Sequence, residues 1–292
     1  GAQVRINAPS YALEFIAEAQ LSRSDCVIAL GGGVTGDLAG FAAATYMRGC
    51  HFVQMPTSLL AMVDSSVGGK TAIDLKAGKN LAGAFWQPDV VIADIGCLGT
   101  LEDDRVADGC GEVIKHGVIA DAELFATLEQ TPLTADLIRS DLALVERLIA
   151  RNIEIKRDVV VADERESNLR KLLNFGHSIG HAVEACANYQ LGHGTCVAIG
   201  MVAIARAAAA RGVCAPDVPQ RIEAVCRAHG LATRTACSVD DIFEAALHDK
   251  KRAGDAIDIV LPHRVGACSI EHVSLAAFKT LIEDGIQTGA NA

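Results

Sequence analysis

Cys26-Val27-Ile28-Ala29-Leu30-Gly31-Gly32-Gly33-Val34-Thr35-Gly36-Asp37 decides how the chain begins to fold. Its first five residues form a short continuous apolar run, the pattern of a strand buried in a parallel sheet. The run passes without a spacer into glycines. Gly31, Gly33 and Gly36 satisfy G-x-G-x-x-G between a strand and a helix, where bare backbone N–H groups and a helix N-terminus face an anion. A tight turn with no ligand would use the same glycines. The acidic ribose-binding residue expected about 20 positions later is missing, because the next strand, His51 to Met55, ends in Pro56-Thr57. The stretch predicts an α/β, Rossmann-like domain with an atypical fingerprint.

Working outward, Tyr11 to Gln20 has helical spacing and closes in the polar Ser22-Arg23-Ser24-Asp25. On the other side, Val67-Gly68-Gly69-Lys70-Thr71 sets a second glycine pair beside a lysine, which adds a full charge to backbone dipoles. A strand is expected at Val90 to Ala93. Arg48, Asp64, Lys70, Lys79 and Asn80 make this region dense in groups able to touch a charged, hydroxylated small molecule. A solvated loop face would rarely be this glycine-rich while interleaved with strands. A ligand site is the favoured reading.

From Leu101 the pattern changes to long segments of 3.6-residue period, and a domain boundary is placed near Gly99. Residues 1–99 are the expected nucleotide-binding α/β domain, and 100–292 a mainly α-helical one. Helices are expected over Leu137 to Val160, Val197 to Arg211, Pro219 to His229 and Ser238 to Leu247. A strand pair is expected at Ala256 to Leu261 and Ala267 to Ile270.

Within this half lies Leu172-Leu173-Asn174-Phe175-Gly176-His177-Ser178-Ile179-Gly180-His181-Ala182-Val183-Glu184. His177 and His181 are four apart, so a helix stacks them on one face. His193 returns after a turn-like Ala187 to Gly192. Three imidazoles so gathered can hold a divalent metal, although two buried, hydrogen-bonded histidines would look the same. Glu112 and Lys115 share a helical face. Glu166 and Arg170 read as an i, i+4 pair with Asn174 one turn on, which on a surface helix is worth only a few tenths of a kcal/mol. Asp249-Lys250-Lys251 is a cationic patch.

The bulk numbers bound the class. The 292 residues are 50% hydrophobic and 21% charged, an ordinary globular composition able to bury a sizeable core. A net charge of −10 argues against nucleic acid as a partner. The ten cysteines are scattered without a C-x-x-C pair and read as thiols used as small hydrophobes. Neither a signal-like start nor an apolar run long enough to cross a bilayer is seen, so no membrane partner and a cytoplasmic location are expected.

The motifs, in order over nearly the whole chain, resemble the 3-dehydroquinate synthase family of the shikimate pathway. They are Gly31 to Phe41, Arg48-Gly49, Pro56-Thr57, Met62 to Thr71, Gly78-Lys79-Asn80, Glu112 to His116, Asp163-Glu164 with Glu166, Leu172 to Glu184, His193-Gly194 and Asp249-Lys250-Lys251. The resemblance implies a nucleotide-binding α/β domain followed by a helical domain that binds metal and substrate. It implies a metal, usually zinc and alternatively cobalt, held by Glu112, His177 and His193, with His181 moved to the substrate pocket. NAD⁺ would contact Gly33, Val34, Thr35, Gly36, Asp37, Thr57, Ser58, Lys70, Lys79 and the segment Cys97, Leu98, Gly99, Thr100. The substrate, 3-deoxy-D-arabino-heptulosonate 7-phosphate, would be held by Arg48, Asp64, Lys70, Lys79, Asn80 and Lys115. Further substrate contacts would be Lys156, Glu166, Arg170, Asn174, His181 and Lys250. A homodimer is implied as well. In this family transient oxidation at C5 acidifies the neighbouring C–H, phosphate leaves, the hydride returns, and an aldol step closes the ring.

Departures from the family pattern set further expectations. The family carries a strand, a ribose-contacting acid and a Gly-Glu-x-x-Lys segment ahead of the point matched by Gly1-Ala2-Gln3-Val4-Arg5. A chain starting at Gly1 is expected to bind NAD⁺ weakly and to leave a sheet edge open. Thr195 stands where the family has Glu, which puts a supporting partner of His193 in doubt, and Ser178 stands where Thr is usual. Two related readings rank behind. Inosose- and valiolone-forming cyclases differ around Asp64 to Thr71 and near Asn174, and polyol dehydrogenases bind metal through Asp and two His. A non-catalytic relative that still dimerises or binds metal is the reading from another class.

Overall fold

The computed structural model describes residues 7–76, 78–250 and 255–287. The chain divides into two compact units, one of Ala2–Leu101 with Asp141–Arg157, the other chiefly Glu102–Ser140 with Asp158–Ala292. Residues 141–157 therefore group with the first part of the chain, across the boundary expected near Gly99.

In the first unit α1 (Asn7–Glu18), β1 (Cys26–Gly31), α2 (Gly33–Thr45), β2 (His51–Pro56), β3 (Lys70–Leu75), β4 (Gly78–Phe85) and β5 (Val90–Val91) follow in order. The strands β1, β2 and β5 form a parallel sheet in that order, with Cys26 opposite His51 and Val53 opposite Val90. The expected strand at Val90 to Ala93 is shorter than its apolar run, although the Ile92 N–H still bonds the Gln54 carbonyl at 2.8 Å. Ala29, Ala43, Cys50 and Phe52 make the core here, with Val27, Ala39, Tyr46 and Trp86 packed against it. The glycines of α2 permit this packing: a Cβ on Gly36 would sit 2.7 Å from Gln54 Oε1, and one on Gly40 would sit 2.4 Å from Thr71 Cγ2.

One expectation for β1 is corrected. Its apolar run reads as buried on both faces, but Ile28 is 59% and Leu30 63% exposed. In a strand side chains alternate, so Val27 and Ala29 face the core while Ile28 and Leu30 point the other way. The face that carries Ile28 and Leu30 is uncovered among the described residues, so an apolar run by itself did not report two-sided burial.

The remaining elements are α3 (Asp103–Ala120), α4 (Ala122–Gln130), α5 (Ala135–Ser140), α6 (Leu142–Ala162), α7 (His177–Cys186), α8 (His193–Ala210), α9 (Asp217–Ala228), α10 (Val239–Lys250), the hairpin β6 (Ala256–Arg264) and β7 (Ala267–Ser274), and α11 (Leu275–Gly285). The single helix expected over Leu137 to Val160 is two helices. Asp141 breaks it and caps the second, its Oδ1 accepting the Leu144 N–H at 3.0 Å, as a short acidic side chain does at a helix start. The helix α8 is the core of the second unit. Its length and apolar composition match a membrane span, contrary to the expectation that no such run exists, but 72% of it is buried within the protein. Gly200 lets α7 approach α8, since a Cβ there would sit 2.0 Å from the Gly176 carbonyl.

The cysteine expectation is corrected in part. Eight of the ten are free, but Cys186 and Cys237 form a disulfide between the end of α7 and the segment before α10. The two cysteines stand 51 positions apart in sequence, so spacing gave no hint of the pair.

Candidate active site

In the second unit, Glu112 and Lys115 sit one turn apart on α3, 0% and 1% exposed, and Lys115 Nζ is ion-paired with Glu112 Oε2. The other carboxylate oxygen, Oε1, lies 3.3 Å from His177 Nε2 and 3.2 Å from His193 Nε2. His177 opens α7 and His193 opens α8, so two helix N-termini aim their first side chains at one buried carboxylate. His177 Nδ1 is turned to the Phe175 carbonyl at 3.2 Å, which leaves Nε2 as the ring nitrogen directed at Glu112. Glu112, His177 and His193 each offer one ligand atom within 4.8 Å of the others. A carboxylate oxygen and two imidazoles converging in a buried site is a donor set suited to a divalent cation.

Charge in the cluster is strongly coupled to burial. Burial opposes ionisation of Glu112, but the Lys115 charge beside it holds its carboxyl well below the usual range. Burial opposes charging of His193 too, yet the Glu112 and Glu184 carboxylates push the imidazole up to about 10. Burial keeps His177 down. The cluster thus pairs an ionised carboxylate with a neutral His177 and a charged His193, and a cation bound there would have to displace the His193 proton. His181, the third imidazole of the α7 motif, is exposed, its ring 5.3 Å from that of His177 and 5.8 Å from that of His193.

A cavity of about 620 Å³ in this unit is lined by residues including Glu166, Asn174, His177 and His181. Glu166 and Arg170 are not an i, i+4 helical pair. Glu166 lies in a turn with a left-handed φ of 58°, and Arg170 lies on the 3₁₀ turn Leu169–Asn174. The Glu166 carboxylate accepts instead from Asn174 Nδ2 at 2.7 Å. Arg170 is 2% exposed and donates to the Glu164 carbonyl. The turn is shaped by Asp163, whose carboxylate takes the N–H groups of Ser167, Asn168 and Arg170 at 2.7–3.0 Å. Lys250 closes α10, and its side chain, like Lys251, lies outside the described residues.

The first unit gathers the other expected residues. Gly33, Val34, Thr35, Gly36 and Asp37 form the first turn of α2, immediately after β1. Close approach favours glycine at Gly33, where a Cβ would meet Ser65 Oγ at 3.0 Å, whereas a Cβ on Gly32 would make only an ordinary contact with Ser58 Oγ at 3.5 Å. The Thr57 N–H reaches the Gly31 carbonyl at 2.9 Å. Asp64 sits on the π-helical turn Ala61–Ser65, and Lys156 Nζ donates to its Oδ1 at 2.7 Å and its carbonyl at 2.5 Å. Lys70 opens β3 and Lys79 and Asn80 open β4, all three exposed. Cys97, Leu98, Gly99 and Thr100 lie on the 3₁₀ turn Ile95–Thr100, with Leu98 buried. Arg48, Asn80 and Glu166 are among the seven described non-glycine residues with positive φ, a conformation that concentrates at functional sites.

Sequence reading missed Glu184 and Asp108. Glu184, 6% exposed, has its Oε2 3.7 Å from His193 Nδ1. Asp108 Oδ1 accepts the Thr195 N–H at 3.1 Å at the start of α8. The signal for Glu184 was present, since it stands seven residues after His177 on the same helix face.

Comparison with known proteins completes the picture. The family model described as 3-dehydroquinate synthase N-terminal matches residues 4–108, and the C-terminal model matches residues 109–252. A 3-dehydroquinate synthase of Streptococcus mutans serotype c is 45% identical over 274 residues, 93% of this chain and 76% of that protein. One from Streptococcus pneumoniae (strain Hungary19A-6) is 46% identical over 268 residues, covering 91% and 75%. Among solved structures, 2-epi-5-epi-valiolone synthase from Streptomyces hygroscopicus subsp. jinggangensis 5008, with NAD⁺ and Zn²⁺ bound, aligns with TM-score 0.85 at 29% identity over 95% of this chain and 79% of its own. A 2-deoxy-scyllo-inosose synthase complexed with carbaglucose-6-phosphate, NAD⁺ and Co²⁺ aligns with TM-score 0.84 at 25% identity, covering 96% and 80%.

Proposed function

The chain belongs to the 3-dehydroquinate synthase family, and from that premise we propose that Glu112, His177 and His193 hold the metal of that enzyme's reaction. The activity is conversion of 3-deoxy-D-arabino-heptulosonate 7-phosphate to 3-dehydroquinate and phosphate, with NAD⁺ and a divalent metal as cofactors. The single observation that supports the metal assignment is the sharing of Glu112 Oε1 by two imidazole Nε2 atoms at 3.2 and 3.3 Å. When bound there, the cation supplies Lewis-acid stabilisation of developing oxyanion charge.

The protein's own residues do the rest by holding charge and geometry. On our reading the first turn of α2, Thr57, Ser58, Lys70, Lys79 and residues 97–100 bind NAD⁺, residues 1–99 being the nucleotide domain and 100–292 the metal and substrate domain. Asp64 fixes the Lys156 ammonium from two oxygens, which orients a cation suited to an anionic or hydroxyl group of the substrate. Glu166 fixes the Asn174 amide, turning a flexible side chain into an oriented one. His181, exposed beside the other two rings, is placed to exchange a proton with substrate oxygen. Arg48, Lys70, Asn80, Lys115, Arg170 and Lys250 are the proposed partners of the remaining phosphate, carboxylate and hydroxyl groups.

The substrate is a small sugar phosphate. That the chain works as a homodimer in the cytoplasm is part of the proposal, supported by the family resemblance. Sedimentation tests the first point. The valiolone and inosose synthases share the fold at 25–29% identity, against 45–46% for the dehydroquinate synthases, which favours the heptulosonate substrate.

The test is phosphate release from the heptulosonate phosphate with NAD⁺ and Zn²⁺, comparing wild type with His193→Ala. Turnover that needs both cofactors and falls at least a thousandfold in the variant is expected. Turnover that survives the substitution would sink the metal assignment.

A further inference from the structure

We infer that Glu184 is a positioning residue for His193, holding the imidazole in the tautomer and orientation that turn Nε2 toward the Glu112 and His177 ligand atoms. The inference rests on the metal-centre reading above and deepens it. His193 is flanked on both sides by buried carboxylates. Its Nε2 lies 3.2 Å from Glu112 Oε1, and its Nδ1 lies 3.7 Å from Glu184 Oε2. A histidine that ligates through Nε2 must keep its proton on Nδ1, and an acceptor opposite Nδ1 fixes that tautomer and makes the ligand more basic. Glu184 is well placed for this task. It rides on α7 with His177 and His181, at the i, i+4, i+7 positions of one face, and its side chain is 8% exposed.

The first turn of α8 needs such help because its backbone is held by something else. Gly192 and Gly194 lie so close to Asp108 that a Cβ on either would collide with it, at 2.2 Å from Oδ1 and 1.7 Å from the carbonyl oxygen respectively. Asp108 Oδ1 also takes the Thr195 N–H. These contacts fix the main chain of residues 192–195 and do not include the His193 ring. The threonine at 195 offers no carboxylate, and among the described residues the one that faces Nδ1 comes from α7. A single helix thus supplies one ligand, His177, and the support for another.

The second grouping in this region, His181, Glu184 and His193, marks the rival outcome, in which Glu184 is itself a ligand. Two measurements separate the possibilities. The metal-stripped protein is titrated with Zn²⁺ against a chromophoric chelator, for wild type, Glu184→Ala, Glu184→Gln and His193→Ala. Each variant is checked by far-ultraviolet circular dichroism before metal is added. Glu184→Ala is expected to bind Zn²⁺ about 10- to 100-fold more weakly than wild type, the range found when a partner of a ligating histidine is removed. Glu184→Gln keeps an acceptor oxygen and is expected to recover most of that loss. The second readout is the ¹⁵N spectrum of the zinc-loaded proteins, in which His193 should show Nδ1 protonated in wild type and a mixture of states in Glu184→Ala.

Zinc affinity of Glu184→Ala within threefold of wild type, or an unchanged His193 spectrum, would overturn the inference. So would a loss as complete as that of His193→Ala, which would make Glu184 a ligand. If His193→Ala itself binds Zn²⁺ like wild type, the metal-centre reading fails on its own, whatever Glu184 does.

Discussion

Lys115 is the residue on which the cost of the site falls. A lysine 1% exposed beside a glutamate 0% exposed is costly to desolvate, and removing one partner of such a pair leaves a buried charge worth about 3–5 kcal/mol. In the metal-free protein Lys115→Met should therefore lower stability by about 3 kcal/mol, the low end because His193 still faces Glu112. With Zn²⁺ bound, the divalent charge takes over the neutralisation, and the loss should shrink to about 1 kcal/mol or less. Urea unfolding with and without chelator measures both values. An equal loss in the two conditions would mean that no cation sits on Glu112. Only part of this cluster was legible from spacing: the helical period pairs His177 with His181, which is not in the Glu112, His177, His193 group, and Glu112 entered as a ligand only through the family resemblance. The company of Glu166 was not legible. Its left-handed φ of 58° depends on Asp163 gathering three downstream N–H groups, and a spacing of four residues cannot distinguish that turn from a helix.

At the scale of elements, α2 shows how a sequence motif becomes a chemical environment. The strand–glycine–helix reading predicted its start correctly, because glycine spacing and an apolar run are local signals. Burial at the end of its first turn was not legible. There burial, with the Asp64 charge adding to it and the Lys156 and Lys79 charges opposing, pushes the Asp37 carboxyl up to about 7. The sign follows from proton linkage. An ordinary aspartate in the unfolded chain has a pKa of about 3.9, so between about pH 4 and 7 the folded protein binds more protons than the unfolded one. Stability should fall as pH rises through that window, and Asp37→Asn should abolish this part of the slope. Denaturant titrations from pH 4 to 8 are expected to show the variant gaining on wild type toward pH 8 with no advantage at pH 4. Parallel curves for the two proteins across the range would refute the assignment. The break at Asp141 belongs to this scale as well: apolar periodicity runs straight through it, and the capping bond to Leu144 is what divides the helix.

For the whole molecule, what sequence could not show is which part of the chain completes which unit. Composition and periodicity change near Leu101, yet residues 141–157 group with the first 101 residues. Nothing local marks this, since α6 has the same amphipathic look as its neighbours. Lys156, bonded to Asp64, ties α6 to the first unit, and α6 also carries a buried stripe at helical spacing: Val145, Leu148, Ile149, Asn152, Ile155 and Lys156 are each at most 6% exposed. Burying the four aliphatic side chains is worth roughly 6–12 kcal/mol at about 1.5–3 kcal/mol each, as an upper estimate. That is comparable to the whole stability of a domain, about 5–15 kcal/mol. A fragment of residues 1–99 should therefore lack a cooperative thermal transition, whereas the same fragment carrying residues 141–157 on a flexible linker should regain one. Circular dichroism melts of the two fragments make the comparison. If both melt cooperatively at the same temperature, α6 contributes nothing to the first unit, and the stripe of buried side chains must be assigned to packing elsewhere.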